Sequence, residues 1–480
     1  MNKKEIILLI SVSVFVFIIV YSPHFNYHFP FHIDEWHSIA EAIKLGKGEY
    51  AFIGHIEKGT TIKVTMGYEV GFHALLYLLS LFINLVNFYQ FFPALWAAVS
   101  ALTLFFVLYK KTGNFKIAVF SMIFFASLKS NVNLGGVWFF TPLTFSIPFI
   151  FLYVYFFTEG IEKQNKKFIL ASLLIMCFLI FVHVVSVLFA VPFLFIYALI
   201  HYKYLIKEWK FFSFFLILPV LGILFYSYMN NFSIFHSLGT IMDDLVFKKG
   251  WGVLELKNSP LEVYSYVGYI LAFFGAFFIV VYKSGKKYLP YLLWPATLII
   301  SIIIFRIFGV SYLSPYQRNI YYFAISLPFL SSFGLNYILN YIKLGKNSAE
   351  IILKIIILAA VFLLAFWNYY YIPKNIELYR AIDNNDYSAL KFLANMPRGK
   401  VMAPLFLSEA IYPVSGNEPA ATLFFYGNRT ISKNFFDANN CSARNKILTE
   451  NNISYFVSKA RVNCGWKLIY SSKDYIYKVK

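Results

Sequence analysis

Residues 3–21 read KKEIILLISVSVFVFIIVY, with every charge in the first three positions and sixteen uncharged residues after them. A helix crosses a hydrocarbon core of about 30 Å with about 20 residues, so this run is long enough to span a membrane. Its basic start resembles a signal peptide. It is long, has no small-residue cleavage site and is followed by further spans, so it reads as a retained first helix. The pattern recurs: apolar runs fall near 5–22, 68–86, 91–109, 117–128, 138–157, 168–182, 184–200, 211–229, 264–282, 289–308, 320–341 and 350–370. The 480-residue chain is 59% hydrophobic and 14% charged, more apolar than a soluble fold can bury. A polytopic, all-α membrane protein with about 11–13 transmembrane helices is expected.

The net charge of +19 does not imply nucleic-acid binding, because much of it is Lys in short loops between spans. Such residues set orientation by staying in the cytoplasm. Lys3 and Lys4, Lys163, Lys166 and Lys167, Lys203, Lys207 and Lys210, Lys283, Lys286 and Lys287, and Lys343 and Lys346 belong inside by this rule. Segments 23–67, 231–263, 309–319 and 371–480 then lie outside. Twelve spans conflict with that arrangement, which needs an odd number of crossings. Lys110 and Lys111 also want the cytoplasm, where the count does not put them. The discrepancy lies between residues 68 and 157, and the short run 117–128 is the weakest span there.

From residue 371 the composition becomes that of an ordinary globular segment, giving a division into 1–370, the membrane domain, and 371–480, a small extracytoplasmic α/β domain. A helix is expected at Tyr387–Met396 and strands at Gly399–Pro404 and Ile453–Ser458. Two more strands are expected within Trp466–Lys480, around a turn at Ser471–Asp474. Cys177 sits in an apolar run. Cys441 and Cys464 lie in the outer segment and are candidates for a disulfide, with two free thiols as the other reading. Sequons at Asn231, Asn428, Asn440 and Asn452 all fall in segments placed outside.

Few acids occur, and two adjoin in His32-Ile33-Asp34-Glu35-Trp36-His37, just beyond the first span. Trp36, Ile39, Ala40 and Ile43 follow helical spacing, so an amphipathic helix with acids in its first turn is expected. Asp34 and Glu35 then serve as general base or divalent-cation ligand, or Asp34 caps the helix. Arg318, in Ser314-Pro315-Tyr316-Gln317-Arg318-Asn319, stands where an outer loop re-enters the membrane. Its planar fork of donors suits a phosphate, and Tyr316 and Gln317 are nearby polar candidates. Glu69 and His73, four apart, share a helix face, as a structural pair or as lining of a site. His37 and His183, the latter with Ser186, are further candidate lining residues. Asp243, Asp244, Lys248, Lys249 and Trp251 mark an outer loop that is either a cover or a solvated cluster. No P-loop or Gly-x-Gly-x-x-Gly occurs, which argues against an ATP-driven pump. The spans lack the buried charges of an ion-coupled transporter.

These parts together resemble the GT-C class of integral-membrane glycosyltransferases, including its protein mannosyltransferase-like and aminoarabinose transferase-like families. The resemblance rests on Asp34-Glu35 after the first span, the glycine- and histidine-bearing stretch Gly67–His73, Arg318 opening a late span, and the outer C-terminal domain. It implies a polyprenyl-phosphate sugar donor bound at the outer leaflet. Asp34 would be the base that deprotonates an acceptor hydroxyl, Glu35 its helper or a cation ligand, and Arg318 the group on the lipid phosphate. The family more often has prolines after the histidine, and Gly71-Phe72-His73 has none. The expected activity is inverting or retaining transfer to a protein, lipid or glycan acceptor outside the cytoplasm, at the cell membrane. A non-catalytic lipid-linked glycan flippase or assembly subunit is the alternative.

Overall fold

The computed structural model describes residues 1–49, 52–57, 60–64, 69–131, 134–248, 259–281, 285–342, 347–367, 369, 379–423, 427 and 429–479. Gly67, Lys249, Trp251, Lys283, Lys343, Lys346 and Asn428 lie outside the described residues. The chain forms two compact units. One comprises Met1–Pro23, Val64–Phe72 and Phe91–Tyr371, the other His24–Lys63, His73–Gln90 and Ile372–Lys480. The compact units are thus drawn differently from the 370/371 division, since the loop after the first span joins the C-terminal segment.

The first unit is helical. Among the described residues, seven helices are long and apolar enough to cross a membrane: Lys3–His24, Leu85–Thr112, Pro142–Glu162, Lys166–His183, Lys287–Phe308, Tyr316–Tyr341 and Ser348–Ala365. Trp209–Asn230 is a further 22-residue helix. Phe115–Ala126, Val185–Ile200 and Tyr266–Val281 are shorter and apolar, as is Val70–Ser80. The protein is a polytopic α-helical membrane protein.

One ion-pair cluster bears on the region where the crossing count is in conflict. The helix Phe92–Thr112 ends on Gly113, at φ 69°, a left-handed turn that glycine adopts without strain. Asn114 then caps Phe115–Ala126 by accepting from the Lys116 and Ile117 N–H groups. Lys111, buried at this turn, ion-pairs with Glu159 and Glu162, and Lys163 meets Glu159 at 2.7 Å. The ends of Phe92–Thr112 and Pro142–Glu162 therefore share one side. Two of the apolar helices in this region are short: Val70–Ser80 has 11 residues and Phe115–Ala126 has 12, about 16–18 Å at 1.5 Å per residue, little more than half the core thickness.

Tyr316–Tyr341 is the central helix, buried along nearly its whole length, whereas Ser348–Ala365 exposes Ile351, Ile352, Ile355 and Ile356 as a lipid-facing helix would. The central helix packs against Tyr266–Val281 through glycines. A Cβ on Gly275 would collide with the Leu330 carbonyl, and one on Gly334 with the Leu271 carbonyl. Ser331 Oγ donates to the Gly268 carbonyl at 2.8 Å and lies 2.8 Å from Tyr264 Oη. Small residues at such a contact let backbones approach, which drives helix association where hydrophobic transfer cannot.

In the second unit, β1 (Lys400–Met402), β2 (Glu418–Pro419), β3 (Tyr455–Ser458), β4 (Lys467–Ser471) and β5 (Tyr475–Lys478) form one sheet in the order β2-β1-β3-β5-β4. β1 is parallel to β2 and β3, and β5 is antiparallel to β3 and β4. The helix Asn384–Ala394 precedes β1. Met402, Phe435, Leu448, Phe456 and Tyr477 form the core. Cys441 and Cys464 are disulfide-bonded, with Cα atoms 5.3 Å apart. The segment after the first span attaches through aromatic contacts: Phe29 with Tyr387 at 5.0 Å, Phe31 with Tyr379 at 5.4 Å, and the Arg380 guanidinium over Tyr27 at 5.4 Å.

Gly275→Ala separates the two central helices and is expected to lower Tm by several degrees. Gly222→Ala, where an added Cβ meets nothing within 4 Å, leaves it unchanged. Thermal unfolding of the detergent-solubilised protein checks both.

Candidate active site

In the second unit the acidic run forms the first turn of a buried helix, Ile33–Gly46. His32 is its N-cap, and its Nδ1 accepts from the Asp34 N–H at 3.1 Å. Glu35 reaches back: its Oε2 accepts from the N–H groups of Phe31 at 2.6 Å and His32 at 2.9 Å, and the residue is fully buried. This is a capping box with histidine in the usual Ser or Thr place. Asp34 therefore does not cap the helix. Its side chain is 39% exposed, and His32 Nδ1 lies 3.5 Å from its Oδ2.

Successive helical residues point about 100° apart, and Glu35 Oε2 already accepts from two backbone donors. Among the described residues, the one group of three acids or histidines close enough to hold a metal is Asp383, Asp386 and Asp474, within 4.8 Å of one another. Lys459 already supplies a cation there, ion-paired to Asp386 and, at 3.2 Å, to Asp474. No catalytic step is assigned to a metal.

Around Asp34 the unit buries further titratable groups. The His37 and His73 rings meet edge to face at 6.3 Å. Burial, then His73 and Lys44, holds His37 well below its usual pKa, so it is neutral at pH 7. Burial raises Glu41, whose Oε1 lies 3.5 Å from Lys44 Nζ. Glu409 stands on the helix Leu405–Ser415, which packs on Ile33–Gly46. It is 4% exposed and accepts the Leu423 N–H at 2.8 Å. Burial pushes its carboxyl up to about 8, and the negative charge of Asp34 adds to the effect. Sequence reasoning missed Glu409, since only packing brings it under the influence of Asp34.

In the first unit Arg318 lies in the first turn of the central helix, half-buried, with Nη1 donating to the Leu134 carbonyl at 3.2 Å. Gly135, at φ 87°, brings that loop close: an added Cβ would lie 3.1 Å from Arg318 Nη1. One turn along, the Tyr322 hydroxyl lies 2.9 Å from Ser186 Oγ, which in turn lies 2.7 Å from His183 Nδ1. Arg318 and Glu69 both act electrostatically on Tyr322. The structure thus gathers Arg318, His183 and Glu69 about one tyrosine. Tyr316 is otherwise engaged: its hydroxyl accepts from Arg306 Nε at 2.5 Å and its ring stacks on Phe305 at 4.4 Å. Gln317 is buried, and its Oε1 has no hydrogen-bond partner among the described residues.

The chain thus combines a many-helix membrane unit, whose central helix opens with Arg318 in its first turn, with a unit that holds the C-terminal α/β sheet. No protein-family model matches the chain, and no curated protein matches its sequence. Among solved structures, the fold matches the Archaeoglobus fulgidus oligosaccharyltransferase in complex with zinc and sulfate, with a TM-score of 0.58 and 12% identity over 94% of this chain and 68% of that one. The same enzyme, AglB, in complex with an inhibitory peptide and a dolichol-phosphate, matches with a TM-score of 0.56 and 12% identity over 95% of this chain and 69% of that one. At that identity the likeness is one of fold.

Because folded Glu409 holds its proton up to about pH 8, against about 4.5 for a free carboxyl, the folded state binds that proton more tightly. Its contribution therefore favours folding at low pH and declines as pH rises from about 4.5 to about 8. Glu409→Gln is expected to remove this part of the decline, seen as a shallower dependence of Tm on pH.

Proposed function

We propose that this chain is a membrane glycosyltransferase that moves a sugar from a polyprenyl-phosphate donor to an acceptor outside the cytoplasm. The observation that carries the reading is the division of labour at residues 32–35. His32 and Glu35 complete the helix cap, while Asp34, 3.5 Å from His32 Nδ1, keeps a side chain 39% exposed. The cap does not need Asp34, so an open carboxylate at its edge points to chemistry. Arg318 supports the donor side, since it sits in the first turn of a helix, where anions are favoured.

Asp34 takes the proton from the acceptor nucleophile as its lone pair attacks the anomeric carbon. The bond from that carbon to the phosphate oxygen breaks, and the electron pair leaves with the phosphate. Arg318 stabilises the charge that develops there. The donor is already activated, so no nucleotide is needed. Glu35 acts through helix position, and His37, His73 and His183 shape the surroundings as neutral or buried groups. Tyr316 acts by fixing Arg306. The fold neighbours were solved with a dolichol-phosphate and, in one case, tethered to an acceptor peptide containing the NVT sequon. That favours a phosphate-linked lipid donor and a protein acceptor here.

With Lys3, Lys4, Lys110, Lys111 and the lysines of 163–167 kept inside by the preference of basic residues for the cytoplasm, this reading has residues 371–480 and Asp34 outside.

Asp34→Asn is expected to cut transfer by about 10²-fold or more with unchanged insertion and Tm. Normal transfer by this variant would favour the flippase or assembly-subunit alternative. Arg318→Ala should raise the donor KM about tenfold to a hundredfold, the worth of a hydrogen bond to a charged group; an unchanged donor KM removes Arg318 from the site.

A further inference from the structure

Ser314 Oγ, Gln317 Oε1 and Tyr321 Oη are closed off from solvent and have no hydrogen-bond partner among the described residues. The three residues are 0%, 8% and 0% exposed. Buried polar groups are nearly always paired, and leaving one unpaired is unfavourable. Loose packing does not explain this cluster, because neighbouring groups in the same turns are well paired. Asn319 Nδ2 donates to Ser301 Oγ and Ser311 Oγ, each at 2.9 Å, and the Ser311 hydroxyl donates to the Ser314 carbonyl at 2.6 Å.

The unpaired groups belong to the start of a helix whose terminus is suited to an anion. Pro315 is the N-cap of Tyr316–Tyr341, and no side chain caps the helix. The N–H groups of its first turn and the positive end of its dipole are available to a negative ligand. Gln317 and Tyr321 are four apart and share a face. Arg318, between them in sequence, acts electrostatically on the Tyr321 hydroxyl and donates to the Leu134 carbonyl.

We propose that Ser314, Gln317 and Tyr321 complete a phosphate cradle around Arg318, each making its missing hydrogen bond when the lipid donor's phosphate is bound. Two hydroxyls donate directly to phosphoryl oxygens. The Gln317 amide does so after a half-turn that puts its NH2 where Oε1 stands. The inference rests on the reading of Arg318 as the donor-phosphate group and extends it to three side chains whose polar atoms are unpaired among the described residues.

The test compares full-length wild type, Ser314→Ala, Tyr321→Phe and Arg318→Ala for binding of a short-chain polyprenyl monophosphate, with the matching polyprenol as control. Ser314→Ala and Tyr321→Phe each delete one unpaired oxygen and little else. They are expected to keep or raise Tm while weakening polyprenyl monophosphate binding about tenfold, with polyprenol binding unchanged. A purely structural role would move Tm and leave affinity alone. Wild-type affinity in both variants, or an equal loss for polyprenol, overturns the cradle; if Arg318→Ala still loses phosphate binding, the reading of Arg318 stands. Failure of the wild type to bind polyprenyl monophosphate overturns the donor reading and the cradle with it.

Discussion

The membrane unit depends on one close approach, that of Tyr266–Val281 to Tyr316–Tyr341 at Gly275 and Gly334. Inside a bilayer, apolar side chains gain nothing by leaving lipid for protein, so association rests on close packing and interhelical hydrogen bonds. Two glycines and the Ser331 hydroxyl bonded to the Gly268 carbonyl supply both. The central helix is thereby fixed along its length. Arg318 inherits that fixity, as does Tyr322, whose ring stacks on Phe189 at 3.9 Å. A guanidinium on a rigid, buried helix holds its place far better than one on a mobile loop.

The second unit uses electrostatics differently. It turns Glu35 back onto two backbone donors. It keeps His37 and Glu409 neutral by burial, leaving Asp34 as the exposed acid of that turn. Two adjacent carboxylates thus take separate roles because one points back along the chain and the other outward, a distinction made by helix geometry rather than residue type.

Much of the architecture was legible because hydropathy reports burial in lipid directly. The strands of the C-terminal unit were legible from alternation, and β1, β3, β4 and β5 fall inside the expected segments. Hydropathy reads the runs 68–86 and 117–128 as spans alike, yet their helices have only 11 and 12 residues. The Lys111 ion pair with Glu159, a contact across 48 residues, has no local signal. Capping by Asp34 was a reasonable expectation from residue preferences, but a histidine ring nitrogen accepts that N–H. Arg318 and Gln317 stand where the sequence put them, in the first turn of a late helix. The engagement of Tyr316 by Arg306 and the influence of Asp34 on Glu409 come from tertiary packing, on which local sequence is silent.

The bond between Cys441 and Cys464 has a consequence for biogenesis. Such bonds form and persist where the environment is oxidising and are rare in the cytosol. On the reading proposed above, in which this segment lies outside the cytoplasm, the bond forms only after the segment has crossed the membrane, so crossing comes before closure of the Cys441–Cys464 loop.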